Sequence, residues 1–121
     1  MRVAILGCGY VGLEVARQLA SNGHRVYGVR RSHPESIRDV GAQPVSGDIT
    51  ESATLANVPS VDALVFSASA GRGDVDRARA IYVEGLSGVI DHFGTRPDPP
   101  GRLLYTSSTG VFGDHDGAWV D

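Results

Sequence analysis

The chain lacks lysine altogether, and all 11 of its basic residues are arginine. It has one cysteine, Cys8, which excludes an internal disulfide bond and a metal site built from several cysteines. No apolar run approaches the ~18 residues that a membrane-spanning helix needs, so we expect no membrane partner. The net charge of −3 gives no reason to expect nucleic acid or an anionic membrane surface as a partner.

The composition describes one globular domain, residues 1–121. A chain of 121 residues that is 41% hydrophobic and 21% charged is long enough for a single core. Residues 1–3 run directly into an apolar strand pattern, so we expect no signal peptide and a cytoplasmic location. The histidines show no metal-ligand spacing, and no metal is expected.

Short apolar runs alternate with segments of helical spacing along the chain. The runs predict strands at residues 3–6, 25–30, 44–46, 63–66 and 102–106. Strands that alternate with helices imply right-handed crossovers and a parallel sheet. We therefore predict an α/β fold, a Rossmann-type doubly wound sheet of about five strands in the order 3-2-1-4-5, with a ligand at the carboxyl ends of the strands.

Turn and capping residues predict where the helices begin and end. Gly23 ends the first helix, because glycine suits the left-handed position past a helix C-terminus. Ser32 is predicted to cap the second helix, with Glu35 completing a capping box. Thr50 is predicted to cap a short helix that continues through Leu55. The longest helix, residues 74–93, is predicted to place its apolar residues along one side: Val75, Ala78, Tyr82, Leu86, Val89 and Phe93.

A Gly-x-Gly-x-x-Gly motif stands between the first predicted strand and the first predicted helix. Gly7 allows the tight turn out of the strand, Gly9 lets the backbone approach a pyrophosphate, and Gly12 lets the helix pack close to the strand. The helix start offers free N–H groups to the phosphates, so the motif predicts dinucleotide binding. A glycine-rich turn without a ligand is the alternative. Cys8 within the motif is either an oxidisable thiol at a helix N-terminus or a small residue that fits the turn.

Two arginines at the end of the second strand bear on which dinucleotide binds. Sites that prefer NAD place a carboxylate about 20 residues past the glycine turn, on the ribose 2′-hydroxyl. Arg30 and Arg31 occupy that place, and no acid is present there. Because guanidinium groups pair with phosphate in a bidentate fork, we expect NADP in preference to NAD. The alternative is that both arginines are merely solvated at a strand end.

Polar and small residues follow the third and fourth strands. Asp48 is expected to accept a hydrogen bond from an adenine amino group while Ile49 packs on the ring, and a turn aspartate is the alternative. After the fourth strand, small residues would let a ribose and a nicotinamide lie against the backbone, or they form an ordinary loop. These residues are Ser67, Ala68 and Ser69.

Hydroxyl residues end the fifth strand. Thr106 and Ser107 reach the edge of the sheet where a substrate is expected. A hydroxyl there can hydrogen-bond a substrate carbonyl or alcohol, although such clusters also serve as turns.

The motifs at residues 7–12, 47–49, 82–85 and 105–113 together resemble extended or atypical short-chain dehydrogenases/reductases of the NAD-dependent epimerase/dehydratase kind. The last segment resembles the Ser-Ser-x-x-Val-Tyr-Gly signature of that family. The resemblance implies an oxidoreductase, epimerase or dehydratase that binds NADP or NAD and acts on a sugar nucleotide or a similar hydroxyl or carbonyl metabolite. It implies that Ser108 polarises the reacting oxygen and that Tyr10 and Val11 lie along the pyrophosphate.

The sequence also departs from that family. Phe112 stands in place of the tyrosine of the signature, and Glu84 in place of an asparagine often found on the long helix. The Tyr-x-x-x-Lys pair is absent, since no tyrosine follows Tyr105 and the chain has no lysine. Acid–base catalysis needs a group poised near working pH, and this chain cannot supply it in the family's way.

The absence of that pair leaves three hypotheses about function. We expect this chain to be the N-terminal portion of a longer enzyme. The long helix of the chain is a candidate surface for a homodimer. The alternatives are a non-catalytic NADP(H)-binding sensor or interaction module, and a Rossmann fold for another phosphate ligand.

Overall fold

A computed structural model describes residues 1–107, 116–117 and 119. Five strands of this part form one parallel sheet in the order β3-β2-β1-β4-β5. The strands are β1 (Arg2–Leu6), β2 (Arg25–Arg30), β3 (Gln43–Ser46), β4 (Ala63–Phe66) and β5 (Arg102–Tyr105). The predicted fold class and strand order are therefore confirmed.

Helices connect the strands. The first two are α1 (Tyr10–Ser21) and α2 (Pro34–Asp39), and a 3-10 helix (Ser52–Asn57) precedes β4. The long helix, residues 75–94, has three consecutive parts. These are α3 (Val75–Arg79), a π-helical turn (Ala80–Gly85) and α4 (Leu86–Gly94).

The core lies on both faces of the sheet. Ile5 of β1 packs with Ala16 of α1 and Ile37 of α2 on one face. On the other face, Leu6 of β1 lies in a cluster with Phe93 of α4. Because successive residues of a strand point to opposite faces, β1 is buried on both sides, which explains why it is a continuous apolar run.

The predicted capping box at the start of α2 is wrong. The helix begins at Pro34, and its N-cap is His33 rather than Ser32. Proline disfavours helical backbone angles in the residue before it, so His33 cannot begin the helix. His33 instead has a φ of 58°, and no side chain caps the helix.

The predicted cap at Thr50 is also wrong. Glu51 is the N-cap of the 3-10 helix, which begins at Ser52. The amide and the hydroxyl of Thr50 both donate to Oδ1 of Asp48, at 2.9 and 2.7 Å. Thr50 therefore belongs to the turn after β3, where it binds the aspartate.

The apolar side of the long helix differs from the predicted one in its first half. Val89 and Phe93 are buried as predicted, but Tyr82 is 37% exposed and Val75 is 76% exposed. Ile81 is buried in place of Tyr82. The π-helical turn explains the difference, because its hydrogen bonds span one more residue than those of an α-helix. The residues before the turn are therefore rotated about the helix axis relative to the residues after it.

The long helix and the other helices of residues 1–107 do not combine the length and the apolarity that a bilayer span requires.

Candidate functional site

A cleft of about 520 Å³ opens at the carboxyl ends of β1 to β4. The loops after these strands and the start of the long helix form its walls. It brings together most of the residues predicted to bind a dinucleotide: Gly7, Gly9, Tyr10, Val11, Arg30, Arg31, Asp48, Ile49, Ser67, Ala68 and Ser69. Such an edge is where parallel α/β sheets bind their ligands.

Four predicted residues lie outside the lining of this cleft or outside the described residues. Gly12 packs beneath the cleft, and Thr106 and Ser107 follow β5. The hydroxyl of Thr106 donates to the carbonyl of Phe66 at 3.0 Å, so it joins β5 to β4. Ser108, the predicted catalytic residue, lies outside the described part of the chain.

Two glycines of the motif are required by close approach. Gly7 has a φ of +80°, and a Cβ there would lie 2.4 Å from Cα of Ala68. A Cβ at Gly12 would lie 2.9 Å from Oγ of Ser67. With glycine at positions 7 and 12, β1, α1 and the loop after β4 lie closer together than a Cβ at either position would permit.

The start of α1 is open toward the cleft. Its N-cap is Gly9, no side chain caps it, and its first turn has no acidic residue. A Cβ at Gly9 would meet nothing within 4 Å. The first-turn N–H groups of a helix have no partner within the helix, and the helix dipole favours an anion there. These features fit a phosphate group that approaches the backbone.

Arg30 ends β2, and Arg31, which follows it, faces an aspartate across the cleft. Arg30 is half-buried and Arg31 is exposed. A guanidinium nitrogen of Arg31 lies 3.9 Å from Oδ2 of Asp48. Because the Arg31 side chain is 64% exposed, this ion pair is weak and leaves the guanidinium free to exchange partners.

Asp48 forms the turn that was the alternative considered for it, and its contact with adenine stays a prediction. Its Oδ1 accepts from Thr50, as in a turn aspartate, while Oδ2 faces Arg31. The surroundings of Asp48 together hold its pKa below the ordinary value: burial raises the pKa, and the hydrogen bonds from Thr50 lower it. The charges of Arg31 and Arg77 lower it further. The carboxylate therefore stays ionised at neutral pH.

Sequence reasoning missed Arg77, which lines the cleft from the first turns of the long helix. Asp74 caps this helix by accepting a hydrogen bond from the Arg77 amide at 2.9 Å. The signal was present, since the helix was predicted to begin at residue 74 and to follow β4. A helix that begins after a parallel strand starts at the carboxyl edge of the sheet, so its first turn reaches the ligand side.

The loop after β4 is held by side-chain hydroxyl groups. Ser67 donates to the carbonyl of Gly7 at 3.0 Å. The Ala70 amide donates to the Tyr82 hydroxyl at 3.2 Å, and the Gly71 amide donates to Oγ of Ser69 at 3.0 Å. These bonds fix the wall of the cleft that lies across β1 from the arginines.

Cys8 is expected to be unreactive in the folded protein. Its side chain is buried, and burial raises the pKa of the thiol to about 11, although the charge of Arg30 lowers it slightly. At about pH 8 a thiol with that pKa is ionised in roughly one molecule in a thousand. Iodoacetamide should therefore label the native protein at least about 100-fold more slowly than the urea-unfolded protein. Equal rates would restore the interpretation of Cys8 as an oxidisable thiol.

Within residues 1–107, 116–117 and 119, no metal site is formed by three or more side chains of histidine, cysteine, aspartate or glutamate.

Comparison with known proteins agrees with this geometry. The family model of the NAD-dependent epimerase/dehydratase family matches residues 3–119. The chain is 34% identical over 108 residues to the 2-alkyl-3-oxoalkanoate reductase of Stenotrophomonas maltophilia, covering 87% of this chain and 32% of the reductase.

Solved structures agree as well. A putative NAD-dependent epimerase/dehydratase from Bacillus halodurans is 29% identical with a TM-score of 0.77, covering 93% of this chain and 54% of that one. The UDP-glucose 4-epimerase of Bifidobacterium longum, solved with NAD⁺ and UDP, has a TM-score of 0.77. At 17% identity, with 93% of this chain and 38% of the epimerase covered, it shows a shared fold.

The chain spans about a third of the reductase and about half of the Bacillus protein. The match to the family model, however, runs through nearly the whole of the present sequence. The chain belongs to the NAD-dependent epimerase/dehydratase family.

Proposed function

We propose that this chain is the dinucleotide-binding part of an oxidoreductase, epimerase or dehydratase that prefers NADP(H) to NAD(H). The observation that carries the preference is the pair Arg30 and Arg31 at the end of β2, both on the cleft, where an NAD site needs a carboxylate. Guanidinium groups match the geometry and the charge of a 2′-phosphate.

Each part of the dinucleotide has a counterpart in the cleft. The open N-terminus of α1, with Gly9, Tyr10 and Val11, would hold the pyrophosphate. Asp48 and Ile49 would flank the adenine. The small residues after β4 would border the nicotinamide half, since β4 and the arginines of β2 flank β1 on opposite sides.

The bound nicotinamide supplies hydride exchange with a carbinol or carbonyl carbon of the substrate. We propose a sugar nucleotide or a similar small metabolite as that substrate, with Ser108 polarising its reacting oxygen. This part of the proposal rests on family resemblance.

We also propose a cytoplasmic protein that pairs with a second copy through the long helix. Val83 and Ile90 are 59% and 51% exposed on that helix. Contact with a second copy would remove these apolar side chains from water.

A second candidate function is a non-catalytic NADP(H) sensor or interaction module. The observation that favours it is the absence of lysine from all 121 residues, which leaves no Tyr-x-x-x-Lys pair in this chain. If the protein oxidised NADPH steadily in the presence of a carbonyl substrate, the non-catalytic function would be ruled out. Tight cofactor binding by the full-length natural protein, without turnover of any carbonyl substrate, would favour it.

The cofactor proposal predicts that the chain binds NADPH about 10- to 100-fold more tightly than NADH, because hydrogen bonds to a charged phosphate contribute about 1.5–3 kcal/mol. Isothermal titration calorimetry with each nucleotide measures the ratio. Adenosine 2′,5′-bisphosphate and AMP form a matched pair that assigns the gain to the 2′-phosphate.

Raising the salt concentration from about 50 to about 300 mM should lower the ratio of NADPH affinity to NADH affinity, because salt screens the charges of the exposed arginines. Equal affinity for the two nucleotides would refute the preference for NADP(H). Failure to bind either nucleotide would refute dinucleotide binding itself.

A further inference from the structure

Tyr82 lies in the π-helical turn of the long helix and points away from the core. Ile81 takes the buried position beside it, and Tyr82 is left 37% exposed. Its hydroxyl reaches the loop after β4, where it accepts a hydrogen bond from the Ala70 amide at 3.2 Å. A π turn within an α-helix often accompanies a functional site, since it displaces a side chain from the regular helical face.

The Tyr82 hydroxyl also faces Ser69, which lines the cleft. Their oxygens are 3.5 Å apart, with Tyr82 as the donor. A phenol is more acidic than an alkyl hydroxyl, so it donates in preference to the serine. The Gly71 amide donates to the same Ser69 oxygen at 3.0 Å. Ser69 thus accepts a hydrogen bond from the Gly71 amide and a second, longer one from the Tyr82 hydroxyl.

A serine oxygen has two acceptor positions and one proton. With both acceptor positions engaged by Tyr82 and Gly71, the Ser69 hydroxyl is left with its proton to donate. Donation through a chain of hydroxyl groups is cooperative, so the tyrosine also strengthens the serine as a donor. Ser69 is exposed and lines the cleft, where a bound ligand can accept that proton.

We propose that Tyr82 is a positioning residue, which makes the Ser69 hydroxyl a hydrogen-bond donor to the nicotinamide half of the bound dinucleotide. The inference rests on the proposed function and deepens it. The side of the sheet follows from the strand order, because β4 and the arginines of β2 flank β1 on opposite sides. The 2′-phosphate and the Ser69 donor thereby engage opposite halves of the same ligand.

The test compares Tyr82→Phe, Ser69→Ala and the double variant by calorimetry. Tyr82→Phe should weaken NADPH binding about three- to tenfold, the value of one hydrogen bond. Ser69→Ala should weaken it at least as much, and the double variant no further, because Tyr82 acts through Ser69. Tyr105→Phe is the matched control, since its ring packs on Phe66 outside the lining of the cleft, and it should bind NADPH like the wild type.

Two further readouts separate positioning from a general structural effect. Adenosine 2′,5′-bisphosphate lacks the nicotinamide half, so Tyr82→Phe should bind it as the wild type does. In the free protein, hydrogen exchange of the Ala70 amide, followed by NMR, should be faster in Tyr82→Phe than in the wild type and in Tyr105→Phe.

Wild-type affinity of Tyr82→Phe for NADPH would overturn the inference, and so would an equal loss of affinity for NADPH and adenosine 2′,5′-bisphosphate. Additive effects in the double variant would also overturn it. So would an unchanged rate of hydrogen exchange at the Ala70 amide. A wild-type chain that binds neither nucleotide would refute the proposed function and the inference together. Nucleotide binding by the wild type with Tyr82→Phe unaffected would refute the inference alone.

Discussion

Replacing Gly7 by alanine is expected to lower the free energy of unfolding by about 2–5 kcal/mol. Two effects add at this position. A left-handed φ costs a residue with a Cβ about 1–2 kcal/mol, and Gly7 has a φ of +80°. The new Cβ would also lie 2.4 Å from Cα of Ala68, so the backbone after β4 has to move. Urea unfolding followed by circular dichroism measures the loss.

Two other glycines separate these effects. Gly23 has a φ of +86° but open space around a Cβ, so Gly23→Ala should show the conformational loss alone, about 1–2 kcal/mol. Gly94 ends α4 with open space and no left-handed φ, so Gly94→Ala should leave stability unchanged or raise it slightly. If Gly7→Ala lost no more than Gly23→Ala, the close approach of β1 and the loop after β4 would be wrong.

The sheet could be predicted from the sequence because its strands are buried on both faces. Such strands are continuous apolar runs, and the connecting helices fix their parallel direction. The predicted strand at residues 63–66 coincides with β4, and the predicted strand at residues 25–30 coincides with β2. The order of the strands follows from doubly wound topology, which general rules restrict to few solutions.

Helix starts were predicted less well, because competing local interactions decide them. Ser32 carries the right side chain for a cap, but the effect of Pro34 on the preceding residue moves the cap to His33. Thr50 also has a capping side chain, but its amide and its hydroxyl both donate to the Asp48 carboxylate. Each residue type allowed both outcomes, and only the neighbouring residues distinguish them.

The π-helical turn had no signal in the hydrophobic pattern. A 3.6-residue period places Tyr82 on the buried side and leaves its apolar neighbour Ile81 off that side. The extra residue in the turn exchanges the two and turns the Tyr82 hydroxyl toward the loop after β4. The cleft residues next to the strand ends could be predicted, whereas this contact depends on the tertiary structure.

Removing both arginines after β2 is expected to have the largest effect on cofactor binding. Arg30→Ala and Arg31→Ala should each weaken NADPH binding about 3- to 10-fold, since the two arginines share the contribution that the phosphate makes to binding. The double variant should bind NADPH no more tightly than NADH. Affinity for NADH should change by less than about twofold, because it lacks the phosphate that the arginines bind. Calorimetric titration of each variant with both nucleotides measures these changes.

Arg25→Ala is the matched control, because Arg25 is an exposed arginine at the opposite end of the same strand. It should leave both affinities unchanged and show that lost positive charge alone does not explain the effect. The Arg31 side chain is 64% exposed, so its ion pair with Asp48 adds little to the free energy of unfolding. Arg31→Ala should therefore change the free energy of unfolding by less than about 1 kcal/mol. Equal losses of NADPH and NADH affinity in the double variant would mean that the arginines bind the pyrophosphate, and the preference for NADP(H) would lose its physical basis.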